Sequence, residues 1–326
     1  MDKNQTYQLP EGIIAGSFAS MFKQYATVCH DFFRKYNFLD DLLAKLNNSD
    51  GLFLYVPAGV KPSKPIKIAN LVDGQNDVLI HSRNLVMMEA GSAVNLIFSD
   101  FACMGESCIY NIDTVIALGE EAHLEIVHLQ KLNNSIRMNT NTTVQQAAYS
   151  RMKTHYITIS GNAVHNSLKV TLGGPKAGHV AAGLSLMQQT EHVDNDILMI
   201  HASTDCQSNQ LFKNILSDSS TGVFTGRIVV NRDAQKTTAY QRSANILLHP
   251  KAKMDMRPHL EIYADDVKCS HGATVGQLDA EALFYLRSRG IDESEAKKML
   301  LHAFASEVVD GISCESIREI ILKEMN

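Results

Sequence analysis

From Leu52 to about Thr274 the apolar residues recur at every second position, and no segment between them switches to a helical period. Val94, Leu96 and Phe98 alternate with more polar neighbours. So do Leu124 and Ile126, Ile157 and Ile159, and Val164, Leu168, Val170 and Leu172. A period of two is that of a pleated strand, whose side chains alternate between two faces. More than two hundred residues of short strands, dense in Thr, Ser, Asn, Val and Ile, predict one all-β region. The missing helix patterns disfavour a doubly wound α/β sheet.

Weak self-similarity favours one β architecture. Gln210-Leu211-Phe212-Lys213-Asn214-Ile215-Leu216 matches Gln241-Arg242-Ser243-Ala244-Asn245-Ile246-Leu247 at an offset of 31. Glu89-Ala90-Gly91-Ser92-Ala93-Val94-Asn95-Leu96 resembles Gly119-Glu120-Glu121-Ala122-His123-Leu124-Glu125-Ile126 at an offset of 30. Such a period suits one coil of a β-solenoid, in which each coil stacks on the last. A β-sandwich is the structural alternative.

Helical patterns flank this core. Phe18, Met21, Phe22, Tyr25 and Phe32 lie on one helical face, and Leu39, Leu42, Leu43 and Leu46 continue in a second short helix. Asn47-Asn48-Ser49-Asp50-Gly51 then breaks the pattern with turn chemistry. After Gly276 the helical period returns. Asp279 is placed to cap a helix carrying Leu283, Phe284 and Leu286, which Gly290 stops. Asp292 and Glu295 resemble a capping box for a helix with Ala296, Met299, Leu300, Ala303, Phe304 and Val308 on one face. A last helix is expected to begin at Ser313 and to use Ile317, Ile320 and Ile321. The resulting division is 1–50 helical, 51–275 β core and 276–326 helical. The last part would cap the solenoid end, dock a partner, or do both.

Composition excludes several function classes. Hydrophobic residues are 45% and charged residues 20% of the 326, which suits a sizeable core and no wholesale disorder. A net charge of -5 argues against nucleic acid as a partner. No signal peptide and no apolar run of membrane-spanning length is visible, so no membrane partner and a cytoplasmic location are expected. The cysteines Cys29, Cys103, Cys108, Cys206, Cys269 and Cys314 form no CxxC pair and are expected as free thiols. Phosphate-loop, nucleophile-elbow, His-Glu-x-x-His and dinucleotide-binding patterns are absent, and the look-alike Gly173–Gly178 is followed by His179 and Val180 without a lysine. A chain like this should not hydrolyse ATP itself.

One pair of residues carries chemistry. Cys269 and His271, two apart where the strand pattern gives way to a helix pattern, point to one face of an extended backbone. Thiolate and imidazole together suit iron or zinc. Two ligands do not close a site, so the rest must come from elsewhere, another chain included. The neighbouring Asp265 and Asp266 face opposite ways and cannot act as a facing acid pair; they read as a turn or an interface contact. His249 and His259, beside Pro250 and Pro258, read as edge or loop residues.

The stretch Tyr263-Ala264-Asp265-Asp266-Val267-Lys268-Cys269-Ser270-His271-Gly272-Ala273-Thr274, then Leu283-Phe284-Tyr285-Leu286-Arg287-Ser288-Arg289-Gly290-Ile291, resembles the SufD side of the SufB/SufD family of the SUF iron–sulfur cluster assembly system. Asp50-Gly51-Leu52-Phe53-Leu54-Tyr55-Val56-Pro57-Ala58-Gly59-Val60 with Pro65-Ile66 resembles the segment by which that family enters its core. The resemblance implies a mainly β chain, a right-handed parallel β-helix flanked by amino- and carboxy-terminal α-helical regions. It implies a non-catalytic scaffold subunit that meets a SufB-like subunit end to end and docks a SufC-like ATPase. His271, and with it Cys269, would hold iron or a transient iron–sulfur cluster at that seam. Leu283, Phe284, Arg287, Arg289 and Ile291 would lie on the ATPase-docking surface. An unpaired solenoid edge also makes a homodimer an expected state of the isolated chain. The rival reading is a β-helical carbohydrate-active enzyme, which the absence of tryptophan and 7% aromatics disfavour.

Overall fold

A computed structural model describes residues 12–38, 50–72, 78–102 and 107–325. The expected helix over Leu39, Leu42, Leu43 and Leu46, the turn residues Asn47 to Ser49, and Cys103 lie outside the described residues.

The chain visits two sheets in turn. The first holds β2 (Leu52–Val56), β4 (Val78–Met88), β6 (Cys108–Leu118), β8 (Ile136–Gln146), β10 (Ala163–Leu172), β12 (His192–His201), β14 (Thr221–Val230) and β16 (Lys253–Ile262). The second holds β3 (Ile66–Val72), β5 (Ala93–Ala102), β7 (His123–Lys131), β9 (Arg151–Ser160), β11 (Gly178–Met187), β13 (Gln207–Leu216), β15 (Thr237–Leu247) and β17 (Val267–Gly276). Each of these strands pairs in parallel with the strand one coil away. This is the expected parallel β-helix. The repeats seen in the sequence are its register: Gln210 to Leu216 pair with Gln241 to Leu247, and Val94 and Leu96 pair with Leu124 and Ile126.

One corner of the coil is built the same way each time. Gly59, Gly91, Glu121, Tyr149, Lys176, Asp205 and Lys236 all take positive φ, from 56° to 72°. Each donates its N–H to a carbonyl at the same corner one coil on, ending with Lys236 N to Asp266 O at 2.6 Å. Left-handed backbone costs a non-glycine residue about 1–2 kcal/mol, and the stacked hydrogen bonds offset that cost at every step. Asp265 and Asp266 are therefore a turn, the last rung of this ladder.

Inward side chains fill the space between the sheets. Leu54, Val86, Leu96, Ile126, Leu168 and Ile197 belong to one continuous interior cluster. The outer faces are covered in part by helices. Helix α1 (Phe18–Lys35) lays Phe18, Phe32 and Phe33 on Phe53, Leu85, Met87 and Ala117 of the first sheet, with Met21, Phe22 and Tyr25 half-buried beside them. An unexpected strand, β1 (Ile14–Ser17), precedes it and closes the edge of β2 in antiparallel pairing.

The carboxy-terminal helices are α2 (Ala280–Ser288), α3 (Glu293–Val309) and α4 (Glu315–Glu324). Asp279 and Asp292 cap α2 and α3 as expected, accepting from Glu281 and Ala282 N–H and from Ser294 N–H. Gly290, at φ 87°, follows the end of α2. The last helix is capped at Cys314, not Ser313, and Ile320 is 41% exposed while Ile317 and Ile321 are buried. These helices do not cap the solenoid. Ala305, Val308, Val309, Ile317 and Ile321 pack on Ile97, Val127, Leu129, Ile157 and Leu184, on the outer face of the second sheet. The apolar outward stripe of that sheet draws them sideways, and the end of the coil is left uncovered.

Candidate functional site

Cys269 and His271 sit on β17, the last strand of the second sheet. β17 pairs with β15 along one edge, Thr237 with Val267 through Ile246 with Gly276, and no strand among the described residues pairs with its other edge. Period-two geometry puts Cys269 in register with Ala239 and His271 with Gln241, both inward positions. At the terminal coil these inward positions have no further coil stacked over them among the described residues. Cys269 is half-buried against the interior cluster, whereas His271 is exposed.

Burial raises the Cys269 thiol above its ordinary pKa, and a backbone hydrogen bond at Ala239 opposes the rise. The thiol is thus protonated at neutral pH, and a metal binding there must displace the proton. His271 also borders a groove of about 450 Å³ on the outer face of the second sheet, lined by the outward Tyr240 and Arg242 and by Glu307 of the helices. Among the described residues no group of three or more His, Cys, Asp and Glu side chains is placed to hold a metal ion. The chain offers two donors on an open edge, not a closed centre.

The other described cysteines are less suited. Cys29, Cys108 and Cys206 are buried, and burial pushes the Cys29 thiol up to about 12 and that of Cys206 up to about 11. Cys314 is half-buried, with Ser316 Oγ at 3.3 Å. Of the two histidines that precede the pair beside prolines, His249 stands in a turn and His259 is exposed on β16, whose Pro258 sits on an edge strand where proline is tolerated.

The surface expected to dock a partner is exposed. No residue of α2 is buried, and it packs on α3. Phe284 is 74% and Tyr285 61% exposed. Leu283 and Ile291 are half-buried, Arg289 is exposed, and Arg287 pairs with Glu293 at 3.2 Å. What the sequence did not reveal is the fastening below it. Lys213 Nζ donates to Phe304 O at 2.7 Å and pairs with Glu307 at 2.8 Å. Glu125, beside a buried His155 at 3.3 Å, accepts from Ser313 N–H at 3.0 Å. No local pattern links residues so far apart in sequence.

Residues 70–304 match the family described as SUF system FeS cluster assembly, SufBD core domain, and residues 1–68 match the SufBD protein N-terminal region. The chain belongs to the SufBD family. It is similar to the iron–sulfur cluster assembly protein SufD of Escherichia coli K12, 31% identical over 271 residues, covering 82% of this chain and 64% of that relative. A SufBD family protein of Synechocystis is 27% identical over 330 residues, covering 97% of this chain and 72% of the relative. SufD of Bacillus subtilis is 28% identical over 281 residues, covering 82% and 62%. The chain therefore spans less than two thirds of the length of two of these SufBD relatives. Among its described residues no helix is long and apolar enough to cross a membrane.

Proposed function

We propose that this SufBD-family chain is a non-catalytic subunit of an iron–sulfur cluster assembly complex. Its free β17 edge meets a SufB-like subunit, and His271 and Cys269 hold iron or a nascent cluster, as cargo, at that seam. The α2 surface around Phe284, Arg287 and Arg289 docks a SufC-like ATPase. Nucleotide-driven approach of two ATPase subunits would strain the seam and uncover the ligands, a population shift driven by differential binding. A cytoplasmic location and a homodimer formed when the partner is missing belong to the same reading.

The observation that carries it is the unpaired terminal strand bearing a thiol and an imidazole, with the helices packed elsewhere. The names of the relatives support cluster assembly as the process, and favour it over a carbohydrate-active enzyme. The chemistry at the edge follows from the two side chains. Metal binding expels the Cys269 proton, so iron uptake is expected to rise with pH, and neutral His271 ligates beside the thiolate. The complex is tested by co-expression with SufB-like and SufC-like partners, then measuring its composition and bound iron. His271→Ala is expected to leave the complex intact and to lower its iron and sulfide several-fold. Undiminished iron, sulfide and cluster assembly in cells carrying His271→Ala would sink the ligand assignment.

A further inference from the structure

Three grooves on the outer face of the second sheet join into one trench. The first, about 310 Å³, is lined by Lys61, Asn95, Glu125, Lys153 and Ser313. The second, about 390 Å³, shares Arg151 and Lys153 with it and reaches Asn209 and Tyr240. The third, about 450 Å³, takes up Asn209 and Tyr240 and ends at Ser270 and His271, beside Glu307. Its floor is a register row. Asn95, Glu125, Lys153, Val180, Asn209 and Tyr240 are successive partners on β5 to β15, and Ser270 follows on β17. The trench thus crosses seven strands of one sheet. At ~4.8 Å per strand spacing it is about 29 Å long, the reach of roughly nine extended residues.

Its charge is uneven. The chain carries a net charge of -5, yet Lys61, Arg151 and Lys153 are exposed together at one end, and no described carboxylate pairs with any of them. The two carboxylates that line the trench are already engaged, Glu125 by His155 and Ser313 N–H and Glu307 by Lys213 and Arg242. Arg151 is held in place. Its Nη1 donates to the carbonyls of Ser150 and Lys176, and Gly178 leaves room where a Cβ would stand 3.0 Å from the Arg151 side chain. Toward the other end Tyr240 is 45% exposed.

A trench that runs across the strands offers no main-chain edge, so its occupant is held through side chains. Cations without counter-ions select carboxylates, and an exposed ring selects an apolar group. A small anion would fill only a fraction of the length. We propose that this trench docks an extended acidic segment of a partner polypeptide, with its carboxylates over Lys61, Arg151 and Lys153 and its apolar end on Tyr240. Docking does not depend on the proposed role of His271. That role adds only that the docked segment ends beside the cargo.

The probe is a fluorescein-labelled peptide of roughly nine residues, with glutamates in its first half and phenylalanine and leucine in its second. A matched peptide carries lysines in place of the glutamates. Fluorescence anisotropy with the full chain, free of iron, should show binding of the glutamate peptide alone, weakening about ten-fold between ~50 mM and ~500 mM salt. Lys61→Glu combined with Lys153→Glu should weaken the glutamate peptide about ten-fold or more and admit the lysine peptide, a gain that a misfolded variant cannot give. Tyr240→Ala should weaken the glutamate peptide and leave unchanged one whose phenylalanine is serine. A benzophenone at the acidic end should crosslink to the chain between residues 151 and 153 or at Lys61. Equal binding of the glutamate and lysine peptides by the native chain would overturn the proposal, as would unchanged affinity in the double variant. An oligothymidylate of equal charge that binds as tightly would make the trench a general polyanion site, and the peptide assignment would fall.

Discussion

His128 lies between two aromatic rings in the interior, with centroids 5.3 Å from Phe98 and 4.9 Å from Tyr156. The three residues are register partners on β5, β7 and β9. Burial pushes the His128 imidazole down from 6.5 to about 4, and it pushes His179 down to about 3 and His201 to about 4. The unfolded chain protonates these groups near 6.5 and the folded chain only near the lower values. The stability they allow is therefore complete above about pH 6.5 and is lost as pH falls toward 4. At about 1.4 kcal/mol per unit, His128 alone accounts for roughly 3 kcal/mol of that loss. His128→Phe keeps the stack and removes the titration, so its unfolding free energy in urea should fall less steeply between pH 6.5 and 4. An unchanged slope would show that the acid sensitivity lies elsewhere. Gly183 tests packing in the same interior. A Cβ there would overlap the Phe212 ring, which itself lies 4.9 Å from Phe224. Gly183→Ala should cost about 1–3 kcal/mol by overpacking, and Phe212→Leu in the same chain should restore part of it.

Each helical element is held by a different balance of local and distant forces. Helix α2 has an N-cap at Asp279 but no buried side chain, so its stability is largely local. Asp279→Ala should remove about 1 kcal/mol from the helix, raising amide exchange over residues 280–288 several-fold without moving the global unfolding midpoint. A shifted midpoint would mean that α2 is coupled to the core. Helix α3 is the opposite case. Val308 is 1% exposed within the cluster that joins the helices to the second sheet, so Val308→Asp buries a charge without a partner and should cost about 3–5 kcal/mol. Melting of the purified variant checks this. The caps of α2 and α3 were legible in the sequence because a cap is a contact between residues two or three apart. The docking of α3 was not, since Val308 and Leu184 meet only when both elements are in place.

At the scale of the whole molecule the two ends differ. The amino-terminal edge of the first sheet is closed by β1. At the other end no strand among the described residues pairs with the outer side of β16 or β17. β16 carries Pro258 and outward Asp255, Arg257 and Glu261, features that discourage strand addition. β17 has Lys268 as its one lysine, arginine or carboxylate, so it is the edge that recruits. The isolated chain is expected to self-associate through β17, measured as a concentration-dependent sedimentation coefficient. Lysines at both Ser270 and Gly272 should abolish the association while leaving the melting temperature close to native. Persistent dimers would move the interface to another face.

In a parallel coil each residue pairs with its counterpart about thirty positions on, so the period of two and the repeat of Gln210–Leu216 in Gln241–Leu247 specified strands, coil and register directly from the sequence. The cysteine–histidine pair was legible for the same reason, since two residues apart on a strand share a face. Which face is wet was not. Leu124 and Ile126 turn inward while Ile157 and Ile159, with the same spacing, turn outward beneath the helices. Only the tertiary structure decided that, along with the open end and the unpaired amides of Gln210 and Gln241. Alternation is a property of one strand, whereas burial depends on what the rest of the chain lays over it.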